Sequence, residues 1–465
     1  MKKIVIAGIL LLIVLFIVSS SLAGYLEDTI NVISKAEYVG SDRCLACHEQ
    51  LYFNWLTTLH PYKVRPANEN TIVGDFLKNN TFTAKDIKGA NGLTEYKTKM
   101  TKKDGKYYIT TIGPDSKEHT YPVKYVLGGA WKQRYMTEFN NGAIHILPVQ
   151  WNVFTREWVD YQGLKTAPPG SGKYWSDKNR TWQFQCGSCH VTGLKINYDA
   201  EKNTFKTKWS DSGAACEACH GPGSIHVAEV KYKKTATILN PAKIPYADRG
   251  AQVCGQCHNR GASIAETKAP IGPKNYEFPN GEARYIPGKV LENYYIEKPG
   301  LWPDGSSKQH HQQYNDWKKS KHADAGINCW NCHSVHGKGA ISKHSIKEGG
   351  DKLCLTCHQV NNELTHSLHS YNGCLSCHMP KTAMTATKTG AARYDISSHT
   401  FKVISPAETI KYGGLDKQPN SCNACHYHEK DKPEELLKVI ESIRNKKRES
   451  LGLEKKSIPT TVEKK

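Results

Sequence analysis

One five-residue unit, Cys-x-x-Cys-His, occurs eight times and consumes all 16 cysteines of the chain. The first four copies hold Cys44, Cys47 and His48; Cys186, Cys189 and His190; Cys216, Cys219 and His220; and Cys254, Cys257 and His258. The last four hold Cys329, Cys332 and His333; Cys354, Cys357 and His358; Cys374, Cys377 and His378; and Cys422, Cys425 and His426. Composition alone would give about 0.02 copies. Positions i, i+3 and i+4 share one face of a helical turn, so two thiols can bond the vinyls of one porphyrin while the imidazole meets its iron. The unit is the attachment signature of a c-type haem. Zinc sites also use Cys-x-x-Cys, but zinc does not need a histidine directly after the second cysteine. A disulfide framework would leave the eight histidines without a role. The pattern implies eight covalently bound haem c groups, anchored by the 16 cysteines, with the motif histidines as proximal ligands.

Seven motifs fit between Cys186 and His426, in 241 residues, or about one per 34 residues. A segment that short cannot build its own side-chain core. The expected fold is therefore mainly α with long loops, wrapped round eight haems that fill the interior. A different texture marks the 137 residues between His48 and Cys186. Tyr96–Ile112 alternates and carries Asp104-Gly105, a hairpin signal. A second hairpin is expected within Tyr121–Leu147, turning at Asn141-Gly142. The organisation read from these patterns is a signal peptide (1–23), an N-terminal segment with the first haem (24–79), a small β-rich insert (80–165), a seven-haem core (166–430), and a C-terminal helix and tail (431–465). The helix should start at Pro433, where Pro and two Glu precede a basic end. Residues 24–38 read only as a short lead-in.

The N-terminus has two lysines, an apolar run from Ile4 to Val18 and small residues before Gly24. This is the pattern of a secretory signal. An uncleaved anchor is the alternative, but the run is short for a spanning helix. The reading is export, to the periplasm or beyond the cell. The formal charge is +19, or +17 once Lys2 and Lys3 leave with the signal. Eight porphyrins with ionised propionates would bring it to roughly +9 oxidised and roughly +1 reduced. Much of the basic excess is thus expected to answer propionates, with a docking patch for an acidic redox partner as the alternative, and nothing calls for nucleic acid.

Thirteen histidines lie outside the motifs. What fills the sixth position of each iron decides between an electron carrier and a substrate site. Methionine is too scarce for general His/Met ligation, so bis-histidine ligation is expected. Local context selects eight second ligands: His60 and His322 in similar tryptophan-containing frames, His226 and His336 just after motifs, His366 and His369 just before one, His399, and one of the adjacent pair His310 and His311, with His310 taken. His119, His145, His344 and His428 read as structural or exposed.

On YVGSDRCLACH, YPVKYVLGGAWKQRY, WQFQCGSCHVTGLKINYD, CEACHGPGSIHV and CLSCHMPKTA, the chain from about Tyr38 to His428 resembles octahaem c-type cytochromes of the hydroxylamine oxidoreductase-like group, including those fused to tetratricopeptide arrays. The resemblance implies a mostly helical haem-wrapping fold, closely packed haem pairs and respiratory electron transfer. The chain has no tetratricopeptide tail, and it lacks the Cys-x-x-Cys-Lys unit that similar nitrite reductases often carry. No catalytic residue is assigned on sequence. The leading expectation is an electron carrier serving redox proteins or other cytochromes. The alternatives are an octahaem oxidoreductase acting on a small nitrogen or sulfur oxyanion at one open haem, and a self-associating subunit of an extracellular haem filament.

Overall fold

The computed structural model describes residues 23–87, 93–161, 164–165, 167–229, 236–263, 285–337, 344–359, 373–386, 394–425 and 427–458. The expectation of a mainly α protein is corrected: the chain is about 31% helical and 21% strand, with several antiparallel sheets. The reason is local. A motif needs only one helical turn, so the helices that carry them are often short, as at Gly187–His190, Cys216–His220 and Cys329–Cys332. Between motifs the chain forms two-stranded ribbons, such as Val191–Thr192 against Asp211–Ser212.

The largest β region is two antiparallel sheets. Strands β1 (Val64–Pro66), β2 (Thr81–Lys85), β3 (Glu95–Lys103), β4 (Lys106–Ile112), β5 (Glu118–Pro122), β6 (Tyr125–Gly128), β7 (Lys132–Glu138), β8 (Ile144–Asn152) and β9 (Glu157–Asp160) sort as β2-β3-β4-β5 and β1-β6-β7-β8-β9. The hairpin expected at Asp104-Gly105 joins β3 to β4, with Lys103 opposite Lys106. Both turn residues have positive φ, 52° and 72°, as the tightest hairpin turn demands. The second expected hairpin joins β7 to β8 through Asn141-Gly142. Met100, Ile109, Tyr135, Leu147, Val149, Trp151, Trp158 and Trp175 form a core in this region. Strand β8 is buried along its whole length. It also joins a second core, in which Ile144 and Ile146 pack with Met136, Trp182 and Phe184 beside Cys186. Gln183 fixes that junction, accepting from Ile144 N–H at 2.9 Å and donating to Gly142 O at 2.8 Å. The β region is thereby anchored to the second motif.

A helix over residues 23–35 stands where only a lead-in was expected. Leu26, Ile30 and Ile33 fall on one face and pack on Leu239, Ile244, Val253 and Ile286. At the other end the expected helix is present as Pro433–Ser450, with Leu436 and Leu437 buried. Among the described residues no helix is long and apolar enough to cross a membrane.

Because Ile109 is fully buried away from the motifs, Ile109→Ala should cost about 2–5 kcal/mol. Urea denaturation followed by circular dichroism would read this, with the visible spectrum intact below the transition.

Candidate haem-binding cavity

All 16 cysteines are among the described residues, and none is in a disulfide. Cys47 and Cys357 are exposed. All but Cys47, with seven motif histidines, line one continuous cavity of about 3750 Å³. A single-ligand site occupies roughly 300–1,000 Å³, so this space suits several large groups. His426 lies outside the described residues, as do His366, His369 and residues 1–22.

Across this cavity the chain sets imidazoles opposite one another in pairs. His48 stands opposite His226 with ring centroids 6.5 Å apart, and His60 opposite His258 at 6.4 Å. His220 faces His336 at 6.1 Å, His322 faces His358 at 5.8 Å, and His333 faces His399 at 6.4 Å. Each pair joins one motif histidine to one of the eight candidate second ligands. Two metal–nitrogen bonds of about 2.0 Å and two ring radii of about 1.2 Å put imidazoles on opposite sides of one ion roughly 6.4 Å apart. The spacing is that of two ligands sharing a metal.

The ring nitrogens are oriented to match. His220 Nδ1 bonds to Leu239 O at 2.6 Å, His333 Nδ1 to His344 O at 2.7 Å and His399 Nδ1 to Ser397 O at 3.1 Å. His226 and His258 use Thr237 Oγ1 and Gln313 Oε1. Such bonds fix the ring and leave Nε2 for a metal. The neutral imidazole is the form that ligates, and burial favours it at three of the cavity histidines, pushing His60 down to about 3 and His258 and His399 to about 4.

His310 is placed differently. Its ring lies against His311, with centroids 4.6 Å apart, and among the described residues no motif histidine faces it at a metal-sharing distance. His311 carries the ligand-like bond, Nδ1 to Asn259 O at 3.0 Å. Around His310 stand Lys132, Arg134 and Arg260. Burial, followed by His311 and these cations, holds its imidazole well below the ordinary range. His190 and His378 line the cavity, as do His344 and His428. His428 is bonded to Asp431, and His119 pairs with Asp115 at the surface. His145 is buried in the β region, its Nδ1 on Trp175 O.

The cationic wall is the part that sequence reasoning missed. Lys63, Arg65, Lys132, Arg134 and Arg260 all line the cavity. Lys132 Nζ bonds to Thr385 O, and Arg134 lies 3.8 Å above the Tyr161 ring. Burial lowers the Lys63 and Lys132 ammonium groups below the ordinary lysine range. Among the described residues none of these five cations is in an ion pair, and buried cations of this kind suit a group that brings its own negative charge, as porphyrin propionates do. Thiols, directed imidazoles, space and charge together fit haem.

The comparisons agree. A family described as "Doubled CXXCH motif" matches residues 322–363, and one described as "Cytochrome c554 and c-prime" matches 162–221. Over these stretches the chain is similar to c-type cytochromes that carry several haems. It is 27% identical over 182 residues to the cytochrome c nitrite reductase subunit NrfA of Nitratidesulfovibrio vulgaris, across 34% of this chain and 35% of that protein. The chain therefore matches about a third of that relative's length. Its fold is similar to that of the outer cell wall cytochrome OcwA, with a TM-score of 0.62, 22% identity and coverage of 89% and 88% of the two chains.

Asp316 holds one face of this array in place. Its buried carboxylate accepts from Ser307 N–H and Oγ–H, Ser398 Oγ–H and His399 N–H. Asp316→Ala should strand these donors and cost at least about 2 kcal/mol. Thermal unfolding checks the cost, and the visible spectrum should report a disturbed His399 environment.

Proposed function

We propose that this protein is an exported octahaem electron-transfer cytochrome within the hydroxylamine oxidoreductase-like group, passing electrons to and from redox proteins or other cytochromes in respiratory or extracellular electron transfer. One observation carries the reading: five motif histidines each face a second histidine across the cavity. A strong second ligand makes an iron an electron carrier and closes it to substrate. In this reading the Cys pairs anchor the haems and the motif histidines ligate from one side. His226, His60, His336, His322 and His399 ligate from the other. His366 and His369, which lie outside the described residues, are proposed for two of the three remaining irons, and His310 gives place to His311 as the ligand candidate of that pair. Haem supplies the one-electron chemistry; the chain supplies attachment, ring orientation, exclusion of water and countercharge.

A second reading, reduction or oxidation of a small nitrogen or sulfur oxyanion, is favoured by the cations round His310. Lys132, Arg134 and Arg260 would attract an anion, and a curated relative is a nitrite reductase subunit.

Electron paramagnetic resonance of the oxidised protein separates these readings. The ring planes fall into two classes: near-parallel at 16°, 7° and 21°, and near-perpendicular at 86° and 76°. Parallel imidazoles give rhombic low-spin spectra and perpendicular ones give strongly anisotropic signals at higher g, so two families of low-spin signals are expected. A high-spin component that responds to nitrite or hydroxylamine would favour the oxidoreductase. Intact mass should show eight haem additions.

A further inference from the structure

The five facing pairs are not built alike. His226 and His399 each have a ring nitrogen fixed by a hydrogen bond, with Thr237 Oγ1 at 3.0 Å and Ser397 O at 3.1 Å. His322 has no such bond. Its Nδ1 is buried and, among the described residues, without a hydrogen-bond partner. None of the other four second ligands has a buried ring nitrogen in that state. A nitrogen sealed within the protein cannot be the one that faces an open cavity, so Nε2 is left for the metal.

The ring that rests on His322 is Phe401, with centroids 4.1 Å apart and planes at 55°. Phe401 adopts φ 58°, a left-handed backbone that is costly for a bulky side chain and persists only where the surroundings over-determine it. It packs against the cluster that includes Tyr314 and Trp317, and its ring stands 6.2 Å from that of His399. The His322 backbone is held in the single turn Lys321–Asp324, where Ser320 Oγ accepts from Ala323 N–H at 3.3 Å. Packing, and not a hydrogen bond, therefore sets this imidazole.

A hydrogen bond at the far nitrogen raises the basicity of a ligating imidazole, and losing one weakens metal binding about 10–100-fold. Access is open at the same place. His358 and Cys357 are exposed, and Leu355 is 49% exposed. We propose that His322 is an exchangeable second ligand, and that the iron of motif Cys354–His358, once reduced, takes a small neutral diatomic molecule in its place. The exchange breaks the bond from His322 Nε2 and forms one to the incoming molecule; no electron or proton moves. One iron of an otherwise closed set is thereby open to a dissolved gas.

This inference rests on the bis-histidine reading, and the test separates the two. Paramagnetic resonance of oxidised His322→Ala should lose one low-spin signal and gain a high-spin one. No change there would overturn the ligand assignment itself. Carbon monoxide, mixed rapidly with the dithionite-reduced holoprotein, then probes exchange through the Soret band. The wild type should show a phase of about one haem whose rate saturates with carbon monoxide, because departure of His322 limits it. In His322→Ala the same amplitude should bind at a rate proportional to concentration. A phase present in His322→Ala and absent from the wild type would overturn the proposal. Phe401→Asn suits the left-handed backbone and brings an acceptor to Nδ1, so the saturating rate should fall about 10–100-fold. Thr237→Val removes the His226 bond and should add a second saturating phase. An unchanged rate in Phe401→Asn, or no new phase in Thr237→Val, would contradict the role given to the missing bond.

Discussion

Two imidazoles from distant parts of the chain, held one metal-width apart, are the interaction on which the rest of this structure depends. His48 and His226 are 178 residues apart in sequence, and His60 and His258 are 198. A haem bonded covalently at one motif and ligated by such a partner closes a long loop. The entropic cost of closure grows only slowly with loop length, and metal ligation is coupled directly to folding. Segments of about 34 residues, too short to bury a core of their own, can in this way be joined into one body. Many of the motif-bearing helices remain short because a motif needs only a single turn.

The β region obeys different rules. It has its own apolar core, rich in tryptophan and built across antiparallel sheets. Its contribution to the cavity follows from strand alternation. On β7, Gln133 and Tyr135 are fully buried, while Lys132 and Arg134 line the cavity. A sheet stabilised on one face thus presents cations on the other. Their burial would be costly beside an apolar space and is offset where propionates enter it.

The motifs were legible because covalent chemistry fixes their spacing, and the hairpins at Asp104-Gly105 and Asn141-Gly142 because positive φ restricts the residue choice. Of the histidines expected as second ligands, five stand opposite a motif histidine; four of these sit in short frames near motifs, and His399 does not. Which motif each one faces could not be read: His60 follows the first motif yet faces His258 of the fourth. The balance of helix and strand was misjudged because the porphyrin-wrapping pattern was extended over a chain whose sheets and ribbons have independent causes. The helix over residues 23–35 was passed over although Leu26, Ile30 and Ile33 show its period. The cationic wall left no local signature, since Lys63, the β7 residues Lys132 and Arg134, and Arg260 come from separate parts of the chain and converge only in the fold.

If porphyrins form the interior, the chain made without haem attachment should keep only part of its structure. Hydrogen exchange on the haem-free and haem-loaded proteins tests this directly. Protection should survive without haem in the sheets between residues 64 and 160 and be lost across the motif-bearing segments from 186 to 425. Equal protection of those segments in both forms would contradict the account, because it would mean that side chains alone can hold them together.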